Sequence, residues 1–178
     1  SLSSTPTTCY GVADATASVA PTGNSPFTFL WNTGGTNQIE SGLPSGFAYV
    51  TVTDVNNCNY TDQIQIDEAQ QIIMSFYDTM PNCYGYTTGA ISLNVIGGTS
   101  PYFYSWSNGS TNQHLSQVGS GSYSVTVTDA NNCIVTDSSS IAYPPQLFTS
   151  TDSIDASSFT ACDGQAIVTP SGIIPPNF

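Results

Sequence analysis

Hydrophobic residues alternate with polar ones along this chain in short runs, as they do in half-buried β-strands. In "SYSVTVTDANN" the side chains of Tyr123, Val125 and Val127 share one face, and the intervening Ser and Thr residues share the other. The runs "GAISLNVIGG", "PYFYSWSNG" and "IVTDSSSIAY" have the same character, and clusters of Gly, Pro, Asn and Ser separate them. No stretch sustains helical spacing, so the pattern predicts an all-β chain.

The strand pattern recurs along the chain with a nearly constant period. "PFTFLWNTGGTNQ" aligns with "PYFYSWSNGSTNQ", which pairs Trp31 with Trp106 at a shift of 75 residues, 31 to 106. "CYG" recurs as well, and a third copy opens as "CDGQAIVTPSG". The recurrence predicts a first repeat over 1–69 with a truncated first strand, a second over 70–145, and the start of a third over 146–178.

Six or seven short strands in each repeat predict a small immunoglobulin-like β-sandwich. Trp31 and Trp106 occupy a central strand in this prediction and are expected in the core. Tyr123 follows Gly121 by two residues and is similar to the tyrosine corner of such sandwiches, whereas the first repeat has Ala48 at that position. An alternative places the aromatic residues of this strand on an open face, as a platform for sugar.

The charge of the chain narrows its possible partners. Among 178 residues there are 12 Asp and Glu and no Lys or Arg. Nucleic acid is excluded as a partner because no side chain could neutralise phosphates, and anionic membrane surfaces are disfavoured for the same reason. An apolar fraction of 39% argues against disorder, and no apolar run is long enough to span a membrane.

Cysteines recur at matching places in the repeats. The spacing predicts two disulfides within repeats, Cys9 with Cys58 and Cys83 with Cys133. Cys162 is left over, and its partner is expected just beyond Phe178. Structural disulfides indicate an oxidising compartment outside the cytoplasm.

The search for reactive or metal-binding groups finds few candidates. His114 is the only histidine, and no nucleophile, base and orienting group recur together, so we expect no enzymatic activity. No cofactor is expected apart from Ca²⁺, for which the turns "TDVNN" and "TDANN" offer oxygen ligands. The candidate ligands are Asp54, Asn56, Asp129 and Asn131, although Asp and Asn are also common turn residues.

Taken together, "CYG", "GGTSPYFYSWSNGST", "GSYSVTVTDANNC" and the closing "IAYP" resemble the SprB-type repeats of gliding adhesins from the Bacteroidetes. The resemblance implies tandem modules of a very long cell-surface protein exported by type IX secretion. Its implied partners are neighbouring repeats, the secretion and gliding machinery, and an extracellular polysaccharide or surface ligand. Alternatives are a carbohydrate-binding module of a secreted protein and the subunit of a surface filament.

The phylum implied by this resemblance suggests one kind of modification. Bacteroidetes attach O-glycans at Asp followed by Ser or Thr and then an apolar residue. "DTM" and "DSI" fit this motif at equivalent places in two repeats. Thr79 and Ser153 are therefore candidate O-glycosylation sites.

Overall fold

The computed structural model describes residues 1–154 and 165–171, and every regular element in these residues is a β-strand. This confirms the all-β fold class. The part of the chain that the structure describes contains no helix that could cross a membrane.

The strands of the first repeat are β1 (Leu2–Ser4), β2 (Ala15–Val19), β3 (Thr28–Trp31), β4 (Ile39–Leu43), β5 (Gly46–Thr53) and β6 (Asn59–Ile66). Those of the second repeat are β7 (Ile73–Thr79), β8 (Gly89–Ile96), β9 (Phe103–Trp106), β10 (Leu115–Val118), β11 (Gly121–Thr128) and β12 (Ile134–Ile141). β13 (Phe148–Ile154) and β14 (Gln165–Ser171) form an antiparallel pair at the start of the third repeat.

Two three-stranded antiparallel sheets make up the first repeat, in the orders β1-β2-β4 and β3-β5-β6. Both sheets contribute to one hydrophobic core, which consists of Ala15, Ala17, Val19, Trp31, Leu43, Ala48, Val50 and Ile66. Alternate residues of β2 and β5 face this core, as the hydrophobic pattern requires. The second repeat has the equivalent strand orders β7-β8-β10 and β9-β11-β12.

The tryptophans of β3 and β9 lie inside the fold. Trp31 and Trp106 are buried, and each indole N–H donates a hydrogen bond of 2.8 Å to a backbone carbonyl oxygen, that of Asn37 or Asn112 respectively. The polar edge of each ring is therefore satisfied while its apolar area is removed from water. The half-buried Tyr123 donates its hydroxyl to the carbonyl oxygen of Gly119 at 3.0 Å, which is the bond expected of a tyrosine corner.

Hydroxyl pairs link neighbouring strands on the outer face of the sheets. Thr51 and Thr61 place their Oγ1 atoms 2.8 Å apart across β5 and β6, and Thr126 and Thr136 repeat this contact at 3.0 Å. Because the chain has no Lys or Arg, cross-strand ion pairs are unavailable to it. Neutral hydroxyl pairs provide the polar contacts between these strands instead.

The chain divides into two compact units whose bounds differ from those of the repeats. The first unit comprises Ser1–Ser75, Asn94–Ser105 and Thr126–Thr136. The second comprises Phe76–Leu93, Trp106–Val125 and the described residues from Asp137 onward. The turn after β11 therefore belongs to the same unit as the whole first repeat.

Candidate functional site

An Asp side chain organises the turn between β11 and β12. Asp129 Oδ1 accepts hydrogen bonds from the backbone N–H groups of Asn131, at 2.8 Å, and Cys133, at 2.9 Å. Asn132 has a positive φ of 64°, a conformation that Asn tolerates better than most residues. The sequence "DANNC" thus specifies a turn that presents the Cys133 side chain at a fixed place.

The "CYG" sequence of the first repeat lies in the loop between β1 and β2. The carboxylate of Asp14 accepts hydrogen bonds from both the hydroxyl and the backbone N–H of Thr8, the latter at 2.9 Å. These bonds, the hydroxyl's first, hold the pKa of Asp14 below its usual value. Gly11 has a φ of 74° and donates its N–H to Glu68 Oε1 at 3.1 Å. The loop is therefore fixed on both sides of Cys9.

A disulfide joins this loop to the turn of the following repeat. The bond connects Cys9 and Cys133, whose Cα atoms are 5.6 Å apart and which are separated by 124 residues in sequence. The amide of Asn131 supports the contact, because its Nδ2 donates to the Thr8 carbonyl oxygen at 3.4 Å and to Thr99 Oγ1 at 3.1 Å. All of these residues belong to the first compact unit. The first and second repeats are thus covalently crosslinked.

The segment that connects the two repeats packs against a pair of glycines beside this disulfide. Gly98 N–H donates to the carbonyl oxygen of Gln70 at 3.1 Å, and the side chain of Ile72 is only 5% exposed. A Cβ added at Gly97 would lie 1.9 Å from the Gln71 carbonyl oxygen, and one at Gly98 would lie 2.6 Å from Ile72 Cγ1. Only glycine permits so close an approach between two segments of backbone.

Thr7 and Asp129 anchor the edges of the junction. Thr7 is buried, donates its N–H to the Asp67 carbonyl oxygen at 3.1 Å, and accepts the Ala69 N–H on its Oγ1 at 3.0 Å. Asp129 is 2% exposed, and its Oδ2 accepts the Thr99 N–H at 2.8 Å. A buried carboxylate is costly unless its oxygens are hydrogen-bonded, and here three backbone N–H groups meet that need.

The predicted pairs Cys9–Cys58 and Cys83–Cys133 are therefore corrected. Cys133 bonds to Cys9, and Cys58 and Cys83 are exposed thiols. Cys162 lies outside the described residues. The spacing predicted one disulfide within each repeat, whereas the observed disulfide joins two repeats.

The geometry of the first repeat explains why Cys9 and Cys58 do not bond. Cys58 directly precedes β6, whereas the chain leading to Cys9 meets the far end of β6, where Thr7 N–H reaches the Asp67 carbonyl oxygen. The eight residues of β6 span roughly 26 Å at the usual rise of a strand. A disulfide needs Cα atoms within about 7 Å of each other.

The four candidate calcium ligands have other roles in the turns. Asp54 Oδ1 accepts the N–H groups of Asn56, at 2.8 Å, and Cys58, at 2.9 Å, as Asp129 does in the second repeat. Among the described residues no three His, Cys, Asp or Glu side chains cluster as a metal site would require. The calcium hypothesis stays a prediction, and the observed role of these Asp residues is to hold the turn.

The candidate glycosylation sites are both accessible. Thr79 ends β7 and Ser153 lies near the end of β13, and both side chains are exposed. Beside Thr79, the carboxylate of Asp78 accepts a hydrogen bond from the hydroxyl of Ser139. The two sites are at equivalent places in successive repeats.

Sequence reasoning did not identify the residues that the junction depends on most. These residues are Gly97, Gly98, Ile72 and Thr8, and the repeat pattern predicts no contact for any of them. The signal available was the Gly pair of "IGGTS", because consecutive glycines between strands often mark a close approach of backbone. The glycine pair does not indicate which segment of the chain approaches it.

Residues 1–36 and 79–111 match the SprB repeat family model. These two stretches contain the two "CYG" loops, including Cys9 and Cys83, and the β2 and β8 strands that follow them. No curated protein sequence matches the chain.

Proposed function

We propose, from the SprB repeats that this chain carries at residues 1–36 and 79–111, that it is a structural and adhesive section of a long cell-surface protein. The SprB repeat family is associated with cell-surface adhesins. The observation that supports a structural role most directly is the Cys9–Cys133 disulfide, since it ties one repeat to the next.

The proposed role is mechanical. A force along the chain loads the linker between repeats, but the disulfide bypasses this linker and carries the load covalently. The packing of Gln71 against Gly97 and of Ile72 against Gly98 resists small displacements before the crosslink is loaded. A crosslinked pair of repeats transmits tension with less extension than two repeats joined by a single peptide strand.

Single-molecule stretching tests this role. With the protein held at its two ends, the oxidised chain cannot extend the 124-residue loop closed by Cys9 and Cys133. Adding a reductant should release that loop and increase the extended length by about 400 Å, at roughly 3.4 Å per residue. Equal extended lengths with and without reductant would contradict the proposal.

The matched control for this measurement removes the two exposed thiols. A Cys58→Ser, Cys83→Ser variant keeps the Cys9–Cys133 bond and should extend as the oxidised wild type does. A Cys9→Ser, Cys133→Ser variant should extend like the reduced protein in both conditions. If the first variant gained length instead, the bond that carries load would be a different one.

We further propose that the long surface protein to which this chain belongs is a gliding-motility adhesin exported by type IX secretion. It is supported by the SprB repeats and by the tandem architecture. Fluorescent antibody against the first two repeats on living cells tests it, with directed movement of the labelled spots as the expected result. Stationary spots would favour a static adhesin or filament, and label found only in the medium would favour a secreted carbohydrate-binding protein.

We also propose that each complete repeat is an immunoglobulin-like sandwich. The orders β1-β2-β4 and β3-β5-β6, with one shared core, match the A-B-E and C-F-G sheets of that fold when β4 is taken as strand E. Nuclear Overhauser contacts across β2–β4 and β3–β5 test this order. A direct pairing of β2 with β3 would overturn it.

The function proposed here requires no catalysis or cofactor. His114 is exposed, and its Nδ1 lies 3.2 Å from the Leu93 backbone nitrogen, in position to accept that N–H. The half-buried Phe29 packs on the core and Trp31 belongs to it, so this side of β3 faces inward rather than forming an open sugar platform. We therefore expect the protein to act through its folded repeats and the disulfide between them.

Thr79 and Ser153 are expected to carry O-glycans in the native protein. Both hydroxyls are exposed, so a transferase acting on the folded chain could reach them. Mass spectrometry of peptides spanning each residue should show a glycan mass increment that a Thr79→Ala, Ser153→Ala variant lacks. Unmodified masses for both peptides from the native source would refute this assignment.

A further inference from the structure

The surface around Cys58 in the first repeat is the counterpart of the surface around Cys133 in the second. Asp54 and Asp129 make the same bonds within their turns, and both turns have a positive-φ Asn just before the cysteine. Asn24 accepts the N–H of the residue after Asp54, as Thr99 accepts that of the residue after Asp129. The turns of the two surfaces therefore match, whereas Thr22 occupies in the first repeat the position that Gly97 has in the second.

These matching surfaces differ in what covers them. In the second repeat Val127 is fully buried, Asp129 is 2% exposed and Cys133 is half-buried. Their counterparts in the first repeat, Val52 and Asp54, are only half-buried. Cys58 is exposed, and Tyr60, the residue at the position of Val135, is 70% exposed.

A cavity of about 420 Å³ occupies the uncovered surface. Its lining includes Gly23, Val52, Asp54, Cys58 and Tyr60, and all of it belongs to the first compact unit. Gly23 lies where the second repeat has Gly98, the glycine against which Ile72 packs. The cavity therefore lies where, in the second repeat, the linker and the "CYG" loop of the preceding repeat are bound.

We propose that this cavity is a docking site for the "CYG" loop and linker of another SprB repeat, and that Cys58 forms a disulfide with the cysteine of that loop. The proposal deepens the proposed function, because it names the partner at the other side of the first repeat. Successive repeats would then be joined by a disulfide between the "CYG" cysteine of one and the "NNC" cysteine of the next. Exposed Cys83 is the corresponding "CYG" cysteine of the second repeat.

The bond forms by oxidation of two thiols. Each thiol loses a proton, and the pair of electrons passes to a disulfide oxidant such as oxidised glutathione, which is reduced to two thiols. One sulfur–sulfur bond is formed in the protein and one is broken in the oxidant. The exposure of Cys58 permits this exchange, since thiolate attack requires access.

A chain extended by one repeat tests the proposal. Residues 1–74 are fused in front of residues 1–178, so that Met74 of the added copy precedes Ser1 as it precedes Ser75 in the native order. The added copy carries Tyr10→Phe as a mass label and Cys58→Ser to remove its own "NNC" thiol. The chain is refolded with oxidised and reduced glutathione, alkylated, digested without reduction using chymotrypsin, and mapped by mass spectrometry.

The expected map contains two bonds. The labelled peptide with Cys9 of the added copy is linked to Cys58, and the unlabelled Cys9 peptide is linked to Cys133. We expect Cys58 to be fully alkylated in the 178-residue chain, where its thiol is exposed, and not to be alkylated in the extended chain. The unlabelled Cys9–Cys133 link shows in the same map that the original junction has folded.

A control separates docking from random oxidation. When the added copy also carries Cys9→Ser, Cys58 should again be fully alkylated. Full alkylation of Cys58 in the extended chain with Cys9 intact would overturn the proposal, as would a labelled Cys9 linked to Cys83 or Cys162, or a Cys58–Cys58 dimer. None of these results depends on gliding or on the stretching measurement, so the proposed function is tested separately.

Discussion

Replacement of Cys9 and Cys133 with serine is expected to lower the free energy of unfolding by about 5 kcal/mol, which is the chain-entropy value for a loop of 124 residues. The crosslink restricts the unfolded chain more than a short loop would, because the entropy of closing a loop grows slowly with its length. Urea denaturation followed by tryptophan fluorescence measures the change. Trp31 and Trp106 are buried, one in each repeat, so the signal reports on both repeats.

A Cys58→Ser, Cys83→Ser variant is the matched control for this result. Both thiols are exposed and unbonded in the structure, so the urea midpoint should stay at that of the wild type. An equally large loss of stability in the control and in the Cys9→Ser, Cys133→Ser variant would show that the pairs Cys9–Cys58 and Cys83–Cys133 form in solution, because each double variant removes one cysteine from each of those pairs. The Cys9–Cys133 assignment would then have to be abandoned.

The second large effect is expected at Asp129. Its replacement with alanine leaves three backbone N–H groups without their acceptor, those of Thr99, Asn131 and Cys133. Because the site is buried, water cannot replace the carboxylate fully, and the expected loss is roughly 3–5 kcal/mol. Thermal or urea denaturation of the oxidised protein measures it.

Asp54→Ala provides a comparison at the equivalent position. Asp54 holds only two N–H groups and is half-buried, so water can reach them after the substitution. The expected loss is about 1–2 kcal/mol. Equal losses at the two positions would show that the turn alone determines the effect and that burial at the junction adds nothing.

The hydrophobic pattern predicted the strands because each strand buries one face. Val125 and Val127, placed on one side of β11 by the alternation, are both fully buried. The period of the repeat likewise paired Trp31 with Trp106, and the two indoles donate to equivalent carbonyl groups. Local alternation carries this information because the side-chain period of a strand is two.

The cysteine pairing could not be obtained in the same way. In a tandem array, a "CYG" cysteine lies at regular spacings from the "NNC" cysteine of its own repeat and from that of the next. Spacing favoured the nearer partner, whereas the structure selects the farther one because Cys9 and Cys58 lie at opposite ends of β6. Which end of its strands a loop occupies depends on tertiary structure.

The Gly97 and Gly98 pair shows a further limit of the sequence. Consecutive glycines between strands are typical of a close approach of backbone, but the approaching segment, Gln70–Ile72, is brought there by the packing of one repeat on the next. Linkers between repeats are usually regarded as flexible spacers. Here the linker is part of the packed structure.

The bond between Cys9 and Cys133 also changes what a proteolytic cut does to the chain. A single cleavage at any peptide bond between these two residues, including one in the linker, leaves both fragments attached through the sulfur atoms. The chain has no Lys or Arg and so offers no site for trypsin-like proteases, and the crosslink limits the damage done by proteases of other specificity. In the cell-surface role proposed above, a nicked chain would therefore keep its two parts joined.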